Sequence, residues 1–338
     1  MSQLPVPDFF DANRVDRVWR VPYQQRAAEA EAWAQQHHIT PAASDRHRVG
    51  LLAIDVQNTF CLPDFELFVA GRSGRGAVDD NRRLCEFIYR HLGVITDIVV
   101  TLDTHTATQI FHAVFWVDDA GHHPPASTLI HLEDVQQRVW KPNPAVAASV
   151  TLSEQALEDY ALHYVRRLTE DGRYPLTIWP YHAILGGISH ALVAAVEEAV
   201  FFHNIARNSQ TQFEQKGSNP LTENYSALQP EVLVGTDGRA IAHKNTALID
   251  RLLAYDVLIV AGQAKSHCVA WTVEDLLTEI KSRDPKLAHQ VYLLEDCSSP
   301  VVIGEAVDFT AQADAAFERF AHAGINIVRS STAIADWF

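Results

Sequence analysis

The chain has 338 residues, 47% of them hydrophobic, enough to bury a large core in one α/β domain or two smaller ones. Its formal charge of -15 argues against a dedicated nucleic-acid binder, which presents a basic face, and no apolar run is long enough to span a bilayer. The start of the chain is polar and acidic, unlike a secretory signal, and the four cysteines are widely spaced with no CxxC pair. A cytoplasmic protein with reduced thiols is therefore expected.

Residues 1–48 form an N-terminal extension, with an Ala- and Glu-rich helix expected over 24–38, outside the main core. Residues 49–338 are expected to form the main unit. Short apolar, β-branched runs at 49–56 and 94–103 predict strands buried on both faces. Residues 117–175 contain Gly121, Pro124, Pro125, Pro142 and Pro144, and predict an insertion that lids or flanks a site rather than a separate domain; a polar helix lies near "SEQALEDYALHYVRRL". A strong helix is predicted over 189–208 and a strand at "TQFEQKG". A strand over 256–262 follows, then a helical stripe from Val269. The last elements are a strand at 290–296, a helix over 314–324 closed by Gly324, and a strand at 325–331. Strands alternating with helices predict an α/β fold with three layers.

In such sheets ligands bind beyond the carboxyl ends of the strands. Asp55, Asp103, Lys216 and Cys268 all fall at or just past predicted strand ends. A thiol, a carboxylate and an ammonium are the parts of an acyl-transfer site: nucleophile, proton carrier and charge stabiliser. If a helix starts near Ser266, Cys268 sits in its first turn, where unpaired N–H groups and the helix dipole favour a thiolate. N–H groups near Ala264 and Cys268 can then receive an oxyanion. An isolated cysteine is more often buried and inert, and Cys297, followed by a proline rather than a helix, is read that way.

A second cluster joins "DTH" (Asp103, His105) to "WPYH" (Trp179 to His182). Carboxylate and imidazole ligands suit zinc, iron or manganese, although an Asp-x-His pair is equally a hydrogen-bonded couple. His112 and the His122–His123 pair compete as a third ligand; the alternative for both is a solvated loop histidine.

The ordered set "AIDVQNTF", "TLDTH", "WPYH", "QKG" and "AGQAKSHCV" resembles the nicotinamidase branch of the isochorismatase-like cysteine hydrolases. The resemblance implies a three-layer α-β-α sandwich around a mainly parallel six-stranded sheet, and a role in NAD metabolism. By position it implies a triad of Asp55, Lys216 and Cys268, and metal ligands Asp103, His105 and His182. It further implies an oxyanion hole at Ala264 and Cys268 beside a cis Gln263–Ala264 peptide, and aromatic substrate contacts from Phe60 and Trp179. The implied reaction is hydrolysis of a small carboxamide, nicotinamide first, to acid and ammonia through a thioester on Cys268, with a divalent metal ion as cofactor. In this chain "TENYSAL" stands where that branch carries a Ser-Gly-Phe-like segment, and "KSHC" replaces Thr-Asp-x-Cys. The alternatives are a metal-independent hydrolase of another amide and a catalytically silent binding protein of the same fold. The expected partner is a small amide, not nucleic acid or membrane, with self-association left open. A nucleotide-binding dehydrogenase is disfavoured because the first strand leads into "DVQNTF", with no G-x-G-x-x-G.

Overall fold

Branched apolar side chains are stiff at χ1 and pack well on a pleated surface, and in this protein they build the centre of the molecule. The computed structural model describes residues 3–304 and 307–337; residues 1–2, 305–306 and 338, which belong to the predicted segments 1–48 and 49–338, lie outside the described residues. Six strands form the main sheet: β1 (Val49–Ile54), β2 (Asp97–Asp103), β3 (Gln212–Lys216), β4 (Val257–Gly262), β5 (Val291–Leu294) and β6 (Asn326–Val328). Their order is β6-β5-β4-β1-β2-β3, and every neighbouring pair is parallel. The sheet is thus wholly parallel rather than mainly so. The chain leaves β1 toward one edge and returns through β4 toward the other, so a crevice opens at the carboxyl ends of these two strands.

Helices cover both faces, which is why β1 and β4 are buried along their whole length. On one face Leu84, Phe87 and Ile88 of α2 (Gly76–Arg90) and Val196 of α4 (Ala194–Arg207) pack on Leu51, Ala53 and Ile259. On the other, Val273 and Leu276 of α5 (Ala270–Arg283) and Phe317 of α6 (Thr310–His322) pack with Leu52, Ile54 and Val260. This is the expected three-layer arrangement.

The N-terminal helix α1 (Tyr23–Gln36) lies against α4, where Arg26 pairs with Glu198 at 2.7 Å and both are buried. Between β2 and α4 the chain makes two short antiparallel pairs, Trp116–Val117 with Lys141–Pro142 and Leu129–Ile130 with Leu176–Thr177. It also forms α3 (Glu154–Glu170), whose N-cap Ser153 accepts the Ala156 N–H. Phe111, Trp116 and Tyr164 from this region join the same apolar cluster as Leu52 and Val260. Among the described residues no helix is long and apolar enough to cross a membrane.

One predicted helix is shorter than expected. Residues 191–193 are extended, because Ala191 C=O accepts the Asn58 N–H at 2.8 Å and Val193 N–H donates to Val56 C=O at 3.0 Å. Pairing with the loop after β1 outcompetes another helical turn.

At the end of β4, Gly262 has φ +117°, and a Cβ there would meet Ile54 C=O at 2.0 Å. The tips of β4 and β1 come this close only because the residue has no side chain. Gly262→Ala is expected to lower stability by about 3 kcal/mol or more, read as a drop in the urea midpoint.

Candidate active site

Asp55 follows β1 with φ +48°, a left-handed conformation unusual for a residue with a side chain. That turn lays its carboxylate under the crevice, fully buried. Thr101 on β2 fixes it from two sides: its hydroxyl donates to Asp55 Oδ1 at 2.6 Å and accepts the Asp55 N–H at 3.0 Å. Two residues on, Gln57 takes the place of a further strand pairing. Its side-chain amide accepts the Asp103 N–H at 2.7 Å and donates to Asp103 C=O at 2.9 Å. The "DVQ" spacing thus sets one residue under the crevice and the next-but-one as a clamp between strand ends.

Asp103 and Lys216 are register partners on β2 and β3. The Lys216 ammonium, nearly buried, lies 3.0 Å from Asp55 Oδ2, 3.0 Å from Asp103 Oδ1 and 2.8 Å from Asn224 C=O, with Cys268 Sγ at 3.7 Å. Burial works against its charge, but Asp103 and Asp55 outweigh that and hold its pKa well above the usual lysine value. Burial also works against the charge on Asp103, where His105 and Lys216 prevail and hold the carboxyl well below its usual range.

Cys268 reaches the same point from the other side of the crevice. Gln263 pins the turn after β4: its N–H donates to Ile54 C=O at 2.8 Å and its side chain donates to Asp80 at 2.9 Å. The Gln263–Ala264 peptide is cis. The chain then makes a wide turn, Lys265–Val269, closed by Val269 N–H donating to Ala264 C=O at 3.1 Å, before α5 begins. Cys268 is 7% exposed and opens onto a cavity rather than being sealed in hydrocarbon. The expected resting thiolate is corrected here. Burial pushes the thiol well above its usual range against the pull of Lys216, which favours the protonated sulfur in the resting site. Cys61, Cys85 and Cys297 are buried away from this cavity.

Asp103, His105 and His182 offer ligand atoms that all lie within 4.8 Å of one another. Each imidazole has its Nδ1 against a carbonyl, His105 on Gly217 at 3.1 Å and His182 on Pro180 at 2.8 Å. The Nε2 atoms then face Asp103 Oδ2, at 2.8 Å from His105 and 3.5 Å from His182, so all three side chains turn to one point. Gly217, at φ +81°, leaves room for the His105 ring, which a Cβ would meet at 2.5 Å. The donor set fits a divalent ion of the zinc, iron or manganese kind.

Of the other histidines weighed, His122 and His123 turn to Asp118 and to Trp116 C=O. His112 is not a solvated loop histidine: it is fully buried, with ring centroids of His105 and His182 at 6.0 and 5.9 Å, and its Nε2 has no hydrogen-bond partner.

The cavity above the thiol is mainly apolar. Phe60, Trp179 and Tyr225 give it aromatic walls, Ala264 and Cys268 its floor, and Asp103 and His182 a polar corner. Trp179 Nε1 donates to Tyr225 Oη at 3.0 Å, locking two walls together. His267 also lines it; burial drops its pKa to about 3, so it stays neutral. Sequence reasoning missed Thr101, Tyr225, His267 and Glu223. Tyr225 and Glu223 lie in "TENYSAL", which begins six residues after Lys216.

No family model matches the chain, and no curated protein matches it. Solved structures do. The nicotinamidase/pyrazinamidase of Acinetobacter baumanii superposes with a TM-score of 0.50 at 19% identity, covering 85% of this chain and 99% of that one. Yeast nicotinamidase gives 0.49 at 18% identity, covering 83% and 99%. The pyrazinamidase of Pyrococcus horikoshii in complex with zinc gives 0.44 at 17% identity, covering 83% and 99%. The Acinetobacter likeness, over nearly the whole of that enzyme, shows that the chain shares its fold.

Proposed function

We propose that this protein is a cysteine amidohydrolase that cleaves the C–N bond of a small planar carboxamide, with nicotinamide the first candidate substrate. The observation that carries this reading is the meeting of Asp55, Lys216 and Cys268 beneath an aromatic-walled cavity. The fold shared with an enzyme named as a nicotinamidase and pyrazinamidase supports the same substrate class.

Asp55 takes the proton from Cys268, and the sulfur attacks the amide carbonyl. Lys216, 3.7 Å from the sulfur, steadies the thiolate as it forms. Backbone N–H groups at Ala264 and Cys268 receive the oxyanion. Asp55 returns its proton to the departing nitrogen, which leaves as ammonia. Water, deprotonated by Asp55, then cleaves the thioester and frees the acid and the thiol. Phe60 and Trp179 hold the planar ring. A divalent ion held by Asp103, His105 and His182 would supply a Lewis-acid contact for a ring heteroatom.

The test is ammonia release from nicotinamide and a panel of small amides, with and without chelator. Release from at least one planar carboxamide is expected, and release from none overturns the proposal. For the ligand set, calorimetry is expected to find one zinc ion bound. His182→Ala should weaken that binding by more than about 100-fold, since loss of an outer-shell partner alone costs about 10–100-fold.

A further inference from the structure

One wall of the cavity carries a carboxyl group that the proposed chemistry does not use. Glu223 is 5% exposed and lines the space with Trp179, His182 and Cys268. Its backbone is clamped: the N–H donates to Tyr164 Oη at 3.1 Å and the C=O accepts the Glu231 N–H at 2.9 Å. The next residue, Asn224, gives its carbonyl to Lys216 at 2.8 Å. The carboxylate is thereby fixed beside the site.

Oε1 of Glu223 accepts the Asn224 N–H at 2.8 Å. Among the described residues no lysine, arginine or histidine makes an ion pair with it. The Arg173 guanidinium behind this segment is taken by Glu231 at 3.5 Å and Asp275 at 3.3 Å. Burial raises the Glu223 pKa to about 7 against the opposing pull of His105.

A buried carboxylate is costly unless something donates to it, and an apolar ring filling the cavity would strip away its remaining water. We propose that Glu223 is a specificity-determining residue that accepts a hydrogen bond from an amino group or ring N–H of the substrate. The preferred substrate is then an amino-bearing heteroaryl carboxamide rather than the unsubstituted ring. This inference rests on the amidohydrolase reading given above and narrows its substrate class.

The test compares matched pairs that differ only in N–H donation: 2-amino- against 2-methylnicotinamide, and 6-amino- against 6-methylnicotinamide. In the wild-type enzyme kcat/KM for ammonia release should favour the amino compound by about tenfold or more in at least one pair. In Glu223→Met that ratio should fall to near one. Ratios near one in both wild-type pairs, a measurement that needs no variant, overturn the inference, as does an unchanged ratio in a folded Glu223→Met protein. If no compound releases ammonia, the amidohydrolase reading fails separately. Calorimetric binding of the same pairs to the wild-type protein then decides: tighter binding of an amino compound supports the role of Glu223, and equal or undetectable binding overturns it.

Discussion

Cys268→Ala is expected to leave less than about a thousandth of the wild-type rate of ammonia release, the scale on which removal of a covalent nucleophile acts. The loss should fall on kcat, because the walls that hold the ring, Phe60, Trp179 and Tyr225, are untouched. Stability should change little, since the substitution removes one sulfur from a side chain at the cavity floor. The contrast is with Cys61, Cys85 and Cys297, which share the burial of Cys268 but open onto no part of the cavity. Steady-state kinetics with a fixed amide, beside a urea titration of the same preparation, separates the two effects.

Lys216→Met is expected to damage both stability and activity. The ammonium is the shared partner of two buried carboxylates, Asp55 and Asp103, at 3.0 Å each. Removing it leaves both charges facing each other in low dielectric, and a broken buried pair costs about 3–5 kcal/mol. The sign of the pH dependence follows. Burial and the neighbouring Asp103 already raise the Asp55 pKa against the pull of Lys216, and without the lysine it rises further above its unfolded value, so the folded state holds more protons than the unfolded one. Stability of the variant then falls as pH rises. Its deficit against wild type should therefore shrink as pH is lowered from about 8 to about 5, as read by urea midpoints at each pH. A deficit that does not depend on pH would mean that lost packing, not lost charge, explains the damage.

What could be read from the sequence was set by periodicity and by strand ends. The continuous apolar runs that became β1, β2, β4 and β5 suit strands covered on both faces, and each ends in, or is followed directly by, a polar residue or a glycine. Asp55, Asp103, Lys216 and Cys268 stood out for that reason. Their mutual distances could not be read, because β1, β2, β3 and β4 lie far apart along the chain and only the 3-2-1-4-5-6 order of the sheet brings them to one crevice. The ionisation of the thiol was misjudged from local structure alone: a position in the first turn favours a thiolate, but burial acts more strongly. Thr101 escaped notice because a threonine inside an apolar strand is an ordinary β-former. His112 could not be decided between ligand and solvated loop histidine, because nothing local announces that its loop packs its ring beside His105 and His182. Glu223 was invisible for a related reason. Whether a glutamate has a cationic partner is a property of the packed chain, not of its neighbours in sequence.

The most direct test of the central claim is the mass of the protein quenched in acid during turnover of an amide that it hydrolyses. The account predicts an added acyl group on the peptide carrying Cys268 and on no other cysteine peptide. Ammonia released while Cys268 stays unmodified at every quench time, or an acyl group found on Cys61, Cys85 or Cys297 instead, would contradict it.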